Sequence, residues 1–210
     1  MFTGIVQEIG IVAGTANKDG NVILEIESRK IFRLLDIGAS ISINGACQTV
    51  ISRSEHHFKV ESIKETLSRT NFNELRAGSH VNLEAPLSLN DLLHGHLVQG
   101  HIDCTSRITE IRPVEGSSVL SIEYPPEYKK YLIEKGSIAI DGVSLTLMDL
   151  TSEVFRVSII PQTMSNTIFL YKKVGDTVNL EFDMIAKYVE KMVSPGESRI
   201  TIDFLKEHGF

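Results

Sequence analysis

The side chains able to do chemistry fall in two matched places. Cys47 lies in Ile43–Val50, INGACQTV, and Ser144 lies in Ile140–Leu147, IDGVSLTL. Each stretch passes from an aliphatic residue through a Gly-containing turn (Asn44-Gly45, Asp141-Gly142) to a small nucleophile-type residue two positions on. Each then closes on Thr and an aliphatic residue (Thr49-Val50, Thr146-Leu147). Cys47 is either a nucleophile, because a thiolate is intrinsically reactive, or a buried cysteine packed as a small hydrophobe. A second matched pair, Glu65-Thr66 and Gln162-Thr163, sets an acceptor beside a hydroxyl. His94, His96 and His101 crowd one short stretch, and His is the side chain most easily poised near neutral pH. Spacing of i and i+2 puts His94 and His96 on one face of an extended segment. Without a third ligand they are more readily structural than metal-binding.

The elements that must position these groups are repeated too. Asn-Gly and Asp-Gly favour a type I′ hairpin turn, since both central residues tolerate positive φ. One such turn is an ordinary hairpin. Two copies about 97 residues apart, in matched surroundings, imply a duplication. Phe2–Val6 falls on Val98–Ile102, Lys64–Thr70 on Pro161–Thr167, Gly78 on Gly175 and Val81–Glu84 on Val178–Glu181, in order. Two units are too few for a solenoid, so each half must close its own core. Short β-branched runs bounded by Gly, Asn or Ser predict strands at Ile9–Ala13, Val22–Ile26, Ser40–Ile43, Thr49–Arg53, Phe58–Ser62 and Val81–Leu83. The second half predicts Ile102–Ile111, Val119–Ile122, Ser137–Ile140, Ser144–Leu150, Val154–Ile159 and Thr177–Phe182. About six evenly spaced strands per half suggest an all-β fold of two closed antiparallel barrels, which also removes exposed edges. Helices are expected at Ser28–Leu35, at Pro126–Glu134 and, past the second barrel, at Met184–Val193, with a further short one at Ile200–Glu207. The join lies within Leu87–Leu97. The amphipathic tail needs an apolar surface to cover, either a partner subunit or its own barrels. Ser144 and Thr146 alternate on one side of a strand, as do Cys47 and Thr49. On an inner barrel face such groups need hydrogen-bond partners or a polar ligand.

Composition excludes several classes. The 210 residues are 42% hydrophobic and 23% charged, ordinary for a globular chain with room for two small domains. No run approaches the ~18 apolar residues of a membrane span. The N-terminus lacks the basic region and small-residue cleavage site of a signal peptide. A net charge of −6 with no basic cluster argues against nucleic acid. Cys47 and Cys104 form no disulfide framework, which fits a reduced, cytoplasmic chain. No zinc spacing or phosphate-cradling Gly loop is present.

Five stretches in order, MFTGIVQEIG, SINGACQTV, KETLSRTN, GHLVQGHID and GSIAIDGVSLTL, resemble the riboflavin synthase family of the α-chain type, from Met1 to about Val193. The resemblance implies two six-stranded lumazine-binding barrels and a C-terminal helix that joins a homotrimer. It divides the chain into a barrel at 1–96, a barrel at 97–183 and a helical trimerisation segment at 184–210. It implies a transferase for the last step of riboflavin biosynthesis: two 6,7-dimethyl-8-ribityllumazines exchange a four-carbon unit, giving riboflavin and 5-amino-6-(D-ribitylamino)uracil. No cofactor or metal is implied; association with lumazine synthase is a possible further partnership. The working site would lie between the N-barrel of one subunit and the C-barrel of its neighbour. Substrate contacts implied for the first half are Gly4, Ile5, Val6, Cys47, Gln48, Thr49, Glu61, Ser62, Ile63, Lys64, Glu65 and Thr66. For the second half they are Gly100, His101, Ile102, Lys135, Ser144, Leu145, Thr146, Ile160, Pro161, Gln162, Thr163, Met164 and Ser165. Phe2, Ser40, Cys47, His101, Ser144, Thr146 and Asp183 are the catalytic candidates, with His101, Ser144 and Thr146 in proton handling and Ser40 or Cys47 near the nucleophile role. The chain departs from the family at Gln48 (usually Leu), Ala85-Pro86 (usually Arg-Ala), His94-Gly95 (usually Gly-Gly) and Cys104 (commonly Gly). Gln162 is neutral where Glu65 is charged. The competing reading is a lumazine- or flavin-binding protein of the same fold without catalysis; the presence of both Ser144 and Thr146 favours the enzyme.

Overall fold

A computed structural model of the chain describes residues 1–193 and residue 206. Twelve strands form two closed antiparallel barrels of six. The first contains β1 (Glu8–Lys18), β2 (Asn21–Glu27), β3 (Ser40–Ile43), β4 (Ala46–Ser54), β5 (His57–Ser62) and β6 (His80–Glu84), joined in the order β1-β2-β5-β4-β3-β6. The second contains β7 (Cys104–Val114), β8 (Ser117–Glu123), β9 (Ser137–Ile140), β10 (Val143–Leu150), β11 (Val154–Ile159) and β12 (Thr177–Phe182) in the matching order. Bulges recur at matched places: between Val12 and Gly14 and between Ile108 and Glu110, then between Val50 and Ser52 and between Leu147 and Asp149. A bulge bends its strand and adds twist, which lets short strands close a small barrel.

Side-chain alternation sets the cores. Along β5, Phe58, Val60 and Ser62 point inward; along β11, Phe155, Val157 and Ile159 do the same. The first core gathers Leu24, Ile26, Ile41, Phe58, Phe72 and Leu83, and the second Ile122, Ile138, Leu147, Phe155, Val178 and Phe182. Burying each such side chain stabilises the fold by roughly 1.5–3 kcal/mol.

The helices differ from expectation in size. Ser28–Leu35 reduces to a 3₁₀ turn at Ile31–Leu34, and Pro126–Glu134 to one at Pro126–Tyr131. These connectors are short, and 3₁₀ geometry suits runs of a turn or two. Glu8 fixes the first from outside, its carboxylate accepting from the backbone N–H of Arg29, Lys30 and Ile31 and from the Ser28 hydroxyl. Two helices missing from the sequence reading, α1 (Lys64–Arg69) and α2 (Pro161–Ser165), follow β5 and β11. At five or six residues they are too short to show a periodic face. α3 spans Met184–Val193, as expected. The expected helix at Ile200–Glu207 lies outside the described residues apart from Lys206. β4 starts at Ala46 rather than Thr49, because the turn before it takes only two residues. β7 starts at Cys104 rather than Ile102, because the preceding residues leave the second barrel.

Candidate active site

The two signature turns meet each other. Asn44 and Gly45 have φ of 46° and 82°, Asp141 and Gly142 of 45° and 79°, the left-handed pair of a type I′ turn. A Cβ on Gly45 would lie 2.7 Å from the Gly142 nitrogen, and the reverse distance is also 2.7 Å, so only glycine allows the turns to touch. Asn82 and Asn179 cross between barrels: Asn82 Nδ2 donates to the Asp141 carbonyl and Asn179 Nδ2 to the Asn44 carbonyl, each at 2.8 Å. Asp141 is fully buried, with Lys172 Nζ at 3.2 Å. Burial pushes its carboxyl up, and Lys172 opposes that.

Beyond each turn the chain rises onto β4 or β10, and here the two repeats exchange segments. Residues 2–6 lie against the second barrel: Ser144 N donates to the Gly4 carbonyl at 2.8 Å. Residues 98–102 lie against the first: Cys47 N donates to the Gly100 carbonyl at 2.8 Å. Phe2 and Val98 bridge at the centre. A buried carboxylate anchors each segment. Glu84 accepts from Thr3 N, Thr3 Oγ1 and Gly4 N; Glu181 accepts from Gln99 N, Gly100 N and His101 N. Burial pushes both carboxyls up, Glu181 to about 7, while the backbone donors pull them down. Neither anchor was singled out from sequence, though both close the matched Val-Asn-Leu-Glu runs.

Two pockets result. One, about 200 Å³, is lined by Ala46, Cys47, Glu65, Thr66, Arg69, Thr70, Gly100, His101 and Ile102. The other, about 460 Å³, is lined by Gly4, Ile5, Val6, Ser144, Gln162, Thr163 and Ser165 among others. Each pocket thus joins residues from opposite halves of the sequence: Gly4–Val6 lie with Ser144, and Gly100–Ile102 with Cys47. The inner-face placement is corrected. Cys47 and Ser144 are half-buried and Thr49 and Thr146 exposed, all on the outer face, because Ala46, Gln48 and Val50 take the inward positions of β4.

Other candidates take distinct places. Phe2 is fully buried with Val98 and Ala139, and Cys47 packs against this cluster. Gln48 and Ser62 point into the first barrel and pair with each other, Ser62 Oγ donating to Gln48 Oε1 at 2.7 Å. The counterparts of this pair, Leu145 and Ile159, are apolar. Ser40 pairs with Thr49 in the β3–β4 ladder. Glu61 is tied to Asn21 and Lys18. Ile63, Lys64, Ile160 and Pro161 are exposed at the strand-to-helix corners, Met164 is half-buried, and Lys135 is an exposed residue of positive φ (65°). Asp183 accepts from Ile185 N at the start of α3 and lines a groove beneath that helix. His94 is exposed while His96 is buried, so they do not share a face. His96 Nδ1 lies 2.7 Å from Ser144 Oγ, a contact the sequence reading lacks. Burial lowers the His96 pKa, and the Asp183 carboxylate opposes this.

The lumazine binding domain family matches the chain twice, at residues 3–86 and 99–183. The riboflavin synthase of Actinobacillus pleuropneumoniae is 42% identical over 100% of both chains. That of Bacillus subtilis (strain 168) is 39% identical over 100% of both, and that of Mycobacterium tuberculosis 43% identical over 92% of this chain and 98% of its own. A solved structure of LumP complexed with riboflavin shares the fold at a TM-score of 0.81 and 24% identity, covering 87% of this chain and 99% of that one. LumP complexed with 6,7-dimethyl-8-(1'-D-ribityl) lumazine does so at 0.79 and 23%, with the same coverage. Duplicated barrels with crossed pockets define a tandem lumazine-binding-domain protein. With full-length relatives at such identity, the chain belongs to the riboflavin synthase family.

Proposed function

We propose that this chain is a riboflavin synthase, a transferase that converts two molecules of 6,7-dimethyl-8-ribityllumazine into riboflavin and 5-amino-6-(D-ribitylamino)uracil, the last step of riboflavin biosynthesis. The observation that carries this is the duplicated pocket. Donor and acceptor are the same molecule, so two near-equivalent sites suit both, and holding them face to face replaces a bimolecular collision by a bound encounter. The C7-methyl is acidic because the ring delocalises the anion left behind. A positioned base removes that proton and a nucleophile adds to C7 of the partner.

His101 and Ser144 line different pockets of one chain, which supports a site built from the N-barrel of one subunit and the C-barrel of its neighbour. In that site His101, Ser144 and Thr146 handle protons, Ser40 or Cys47 stands near the nucleophile role, Asp183 supplies charge, and Phe2 acts by packing the crossover. Gly4–Val6 with Gln162–Ser165 hold one substrate and Gly100–Ile102 with Glu65 and Thr66 the other, with Lys135 at a rim. A homotrimer supplies the neighbour. Its support is α3, whose Ile185, Tyr188, Val189, Met192 and Val193 are exposed on a short amphipathic helix. The division at 1–96, 97–183 and 184–210 belongs to this reading, as do a cytoplasmic setting and association with lumazine synthase. No described helix is long and apolar enough to cross a membrane.

The test is turnover of purified protein on 6,7-dimethyl-8-ribityllumazine alone. One riboflavin formed per about two substrates consumed, over many turnovers, supports the synthase. Tight binding without product makes the chain a chromophore carrier.

A further inference from the structure

Each crossed segment returns to its own barrel through one more acceptor, and the two halves use different chemistry there. In the first half it is Gln7, whose N–H donates to the Leu83 carbonyl at 2.9 Å and whose Oε1 accepts from Ala85 N at 3.1 Å. In the second half it is Asp103, whose N–H donates to the Leu180 carbonyl at 2.9 Å and whose Oδ2 accepts from Phe182 N at 2.8 Å. The contacts bracket Glu84 in one barrel and Glu181 in the other. A neutral amide is enough for this task. The Asp103 carboxylate is only 19% exposed, and a charge so placed costs desolvation unless it is paired. Its partner is Lys187 of α3, with Nζ 2.7 Å from Oδ1 and 2.6 Å from Oδ2. After β6 the described chain continues as the non-helical join, so α3 belongs to the second half alone. Glu181 needs its charge: ionised, it accepts from Gln99 N, Gly100 N and His101 N, whereas a protonated carboxyl turns one oxygen into a donor. Burial raises its pKa; among its charged neighbours Lys187 lowers it and Asp103 raises it further.

We infer that Lys187 is a positioning residue for the Cys47 pocket: it offsets the Asp103 charge beside Glu181, so that Glu181 remains an all-acceptor carboxylate and seats residues 99–101 against Cys47. Its bearing on catalysis rests on the synthase reading above. The seat is close. The Gly100 carbonyl accepts from Cys47 N at 2.8 Å, and a Cβ on Gly100 would fall 2.5 Å from Cys47 Cβ. His101, the next residue, lines the same pocket. Without Lys187, Asp103 and Glu181 are two carboxylates with the cation between them gone. Protonation of Glu181 is the easiest relief, and a backbone donor of the segment then loses its acceptor. The Ser144 pocket is spared, because residues 2–6 are held by Glu84 and the neutral Gln7. In the proposed assembly α3 is also the helix that meets a neighbour, so its seating carries over to the geometry of one pocket and not the other.

The experiment is residue-resolved amide hydrogen exchange of the full chain at neutral pH, for wild type, Lys187→Met and Lys187→Met with Asp103→Asn. Thr3 and Gly4, on the matched anchor, are the internal control. In Lys187→Met the amides of Gln99, Gly100 and His101 should exchange about tenfold faster or more, and those of Thr3 and Gly4 within about twofold of wild type. Adding Asp103→Asn removes the unpaired charge yet keeps an acceptor for Phe182 N, so exchange should return to within about threefold of wild type. Unchanged exchange at residues 99–101, or equal acceleration at Thr3 and Gly4, overturns the proposal. So does a double variant as fast as Lys187→Met, since Lys187 would then act only by holding the helix. Should Lys187→Met fail to fold, Lys187→Gln, which keeps a donor without the charge, decides in the same way. Turnover of 6,7-dimethyl-8-ribityllumazine should follow, with kcat/KM down by about tenfold in Lys187→Met and recovered in the double variant. Wild-type kcat/KM in Lys187→Met also overturns the proposal. Should wild type form no riboflavin, the synthase reading fails separately, and the exchange rates still decide whether Lys187 seats the segment.

Discussion

Gln48 shows how one polar residue enters a barrel core without harm. It points inward from β4, where its counterpart in β10 is Leu145. Its Oε1 accepts from Ser62, and its Nε2 donates to the Cys47 carbonyl at 2.7 Å. Leucine there alone strands the Ser62 hydroxyl, at a cost of about 1–3 kcal/mol, whereas replacing both partners by apolar residues is close to neutral. Gln48→Leu should therefore lower the urea midpoint, and Gln48→Leu with Ser62→Ile should recover most of it. Equal loss in both would contradict the pairing. Glu8 gives a pH prediction. Burial raises its pKa, but the donors Ile31, Arg29, Ser28 and Lys30 outweigh this and leave it below the ordinary carboxylate range. Its stabilising contribution is present above about pH 4.5 and is lost as pH falls through the lowered value. The thermal midpoint of wild type should fall more steeply than that of Glu8→Gln between pH 5 and 3, roughly the carboxylate range. Parallel profiles would count against it. At this scale the sequence reveals residue types and matched positions but not which face they take. The hydroxyls looked inward because a strand pattern has two faces and no label for the core. The sequence shows His96 as one of a cluster more readily structural than metal-binding, and no local pattern reports its contact with Ser144, 48 positions away.

At the scale of elements, the strands and turns were legible. Ser40–Ile43, Ser137–Ile140, Val154–Ile159, Thr177–Phe182 and the helix Met184–Val193 stand where alternation and periodicity put them. Local pattern determines such elements, so local reading finds them. The exchange of residues 2–6 and 98–102 is set by two buried glutamates and a Phe2–Val98 bridge, all long-range, and no periodicity reports it. The paired turns carry the matching prediction. Gly45→Ala places a methyl 2.7 Å from the Gly142 nitrogen at a positive φ, so overpacking and backbone strain add to a loss of about 3 kcal/mol. Gly38→Ala, also at positive φ (89°) but with open space around it, should cost only the conformational part, about 1 kcal/mol. Chemical denaturation of both variants measures the difference. Equal losses would mean that the turns do not bear on one another.

Among the described residues the molecule is two small barrels locked back to back, with the Cys47 pocket on one, the Ser144 pocket on the other and an amphipathic helix on the outside whose apolar residues are exposed. The duplication was legible in the sequence, because the repeat keeps its order and spacing. The separation of His101 from Ser144 was not, because it depends on how the barrels face. Helix α3 is held to its own barrel by Lys187–Asp103 (2.6 Å) and Lys130–Glu190 (3.0 Å), which leaves Met192 84% exposed. Val189→Glu with Met192→Glu should leave the barrels folded yet yield monomers with little turnover. Sedimentation and circular dichroism read the two effects separately; a trimer of normal activity would place the subunit contact elsewhere. The most direct measurement is complementation. His101→Gln chains and Ser144→Ala chains, each nearly inactive alone, are co-expressed so that mixed assemblies form, and riboflavin formation from 6,7-dimethyl-8-ribityllumazine is followed. A site shared between the His101 pocket of one chain and the Ser144 pocket of another predicts that the mixture recovers a substantial fraction of wild-type turnover, because some interfaces then hold both intact residues. Mixed assemblies as inactive as either parent would contradict a shared site, and with it the central account of why this chain carries the pocket twice.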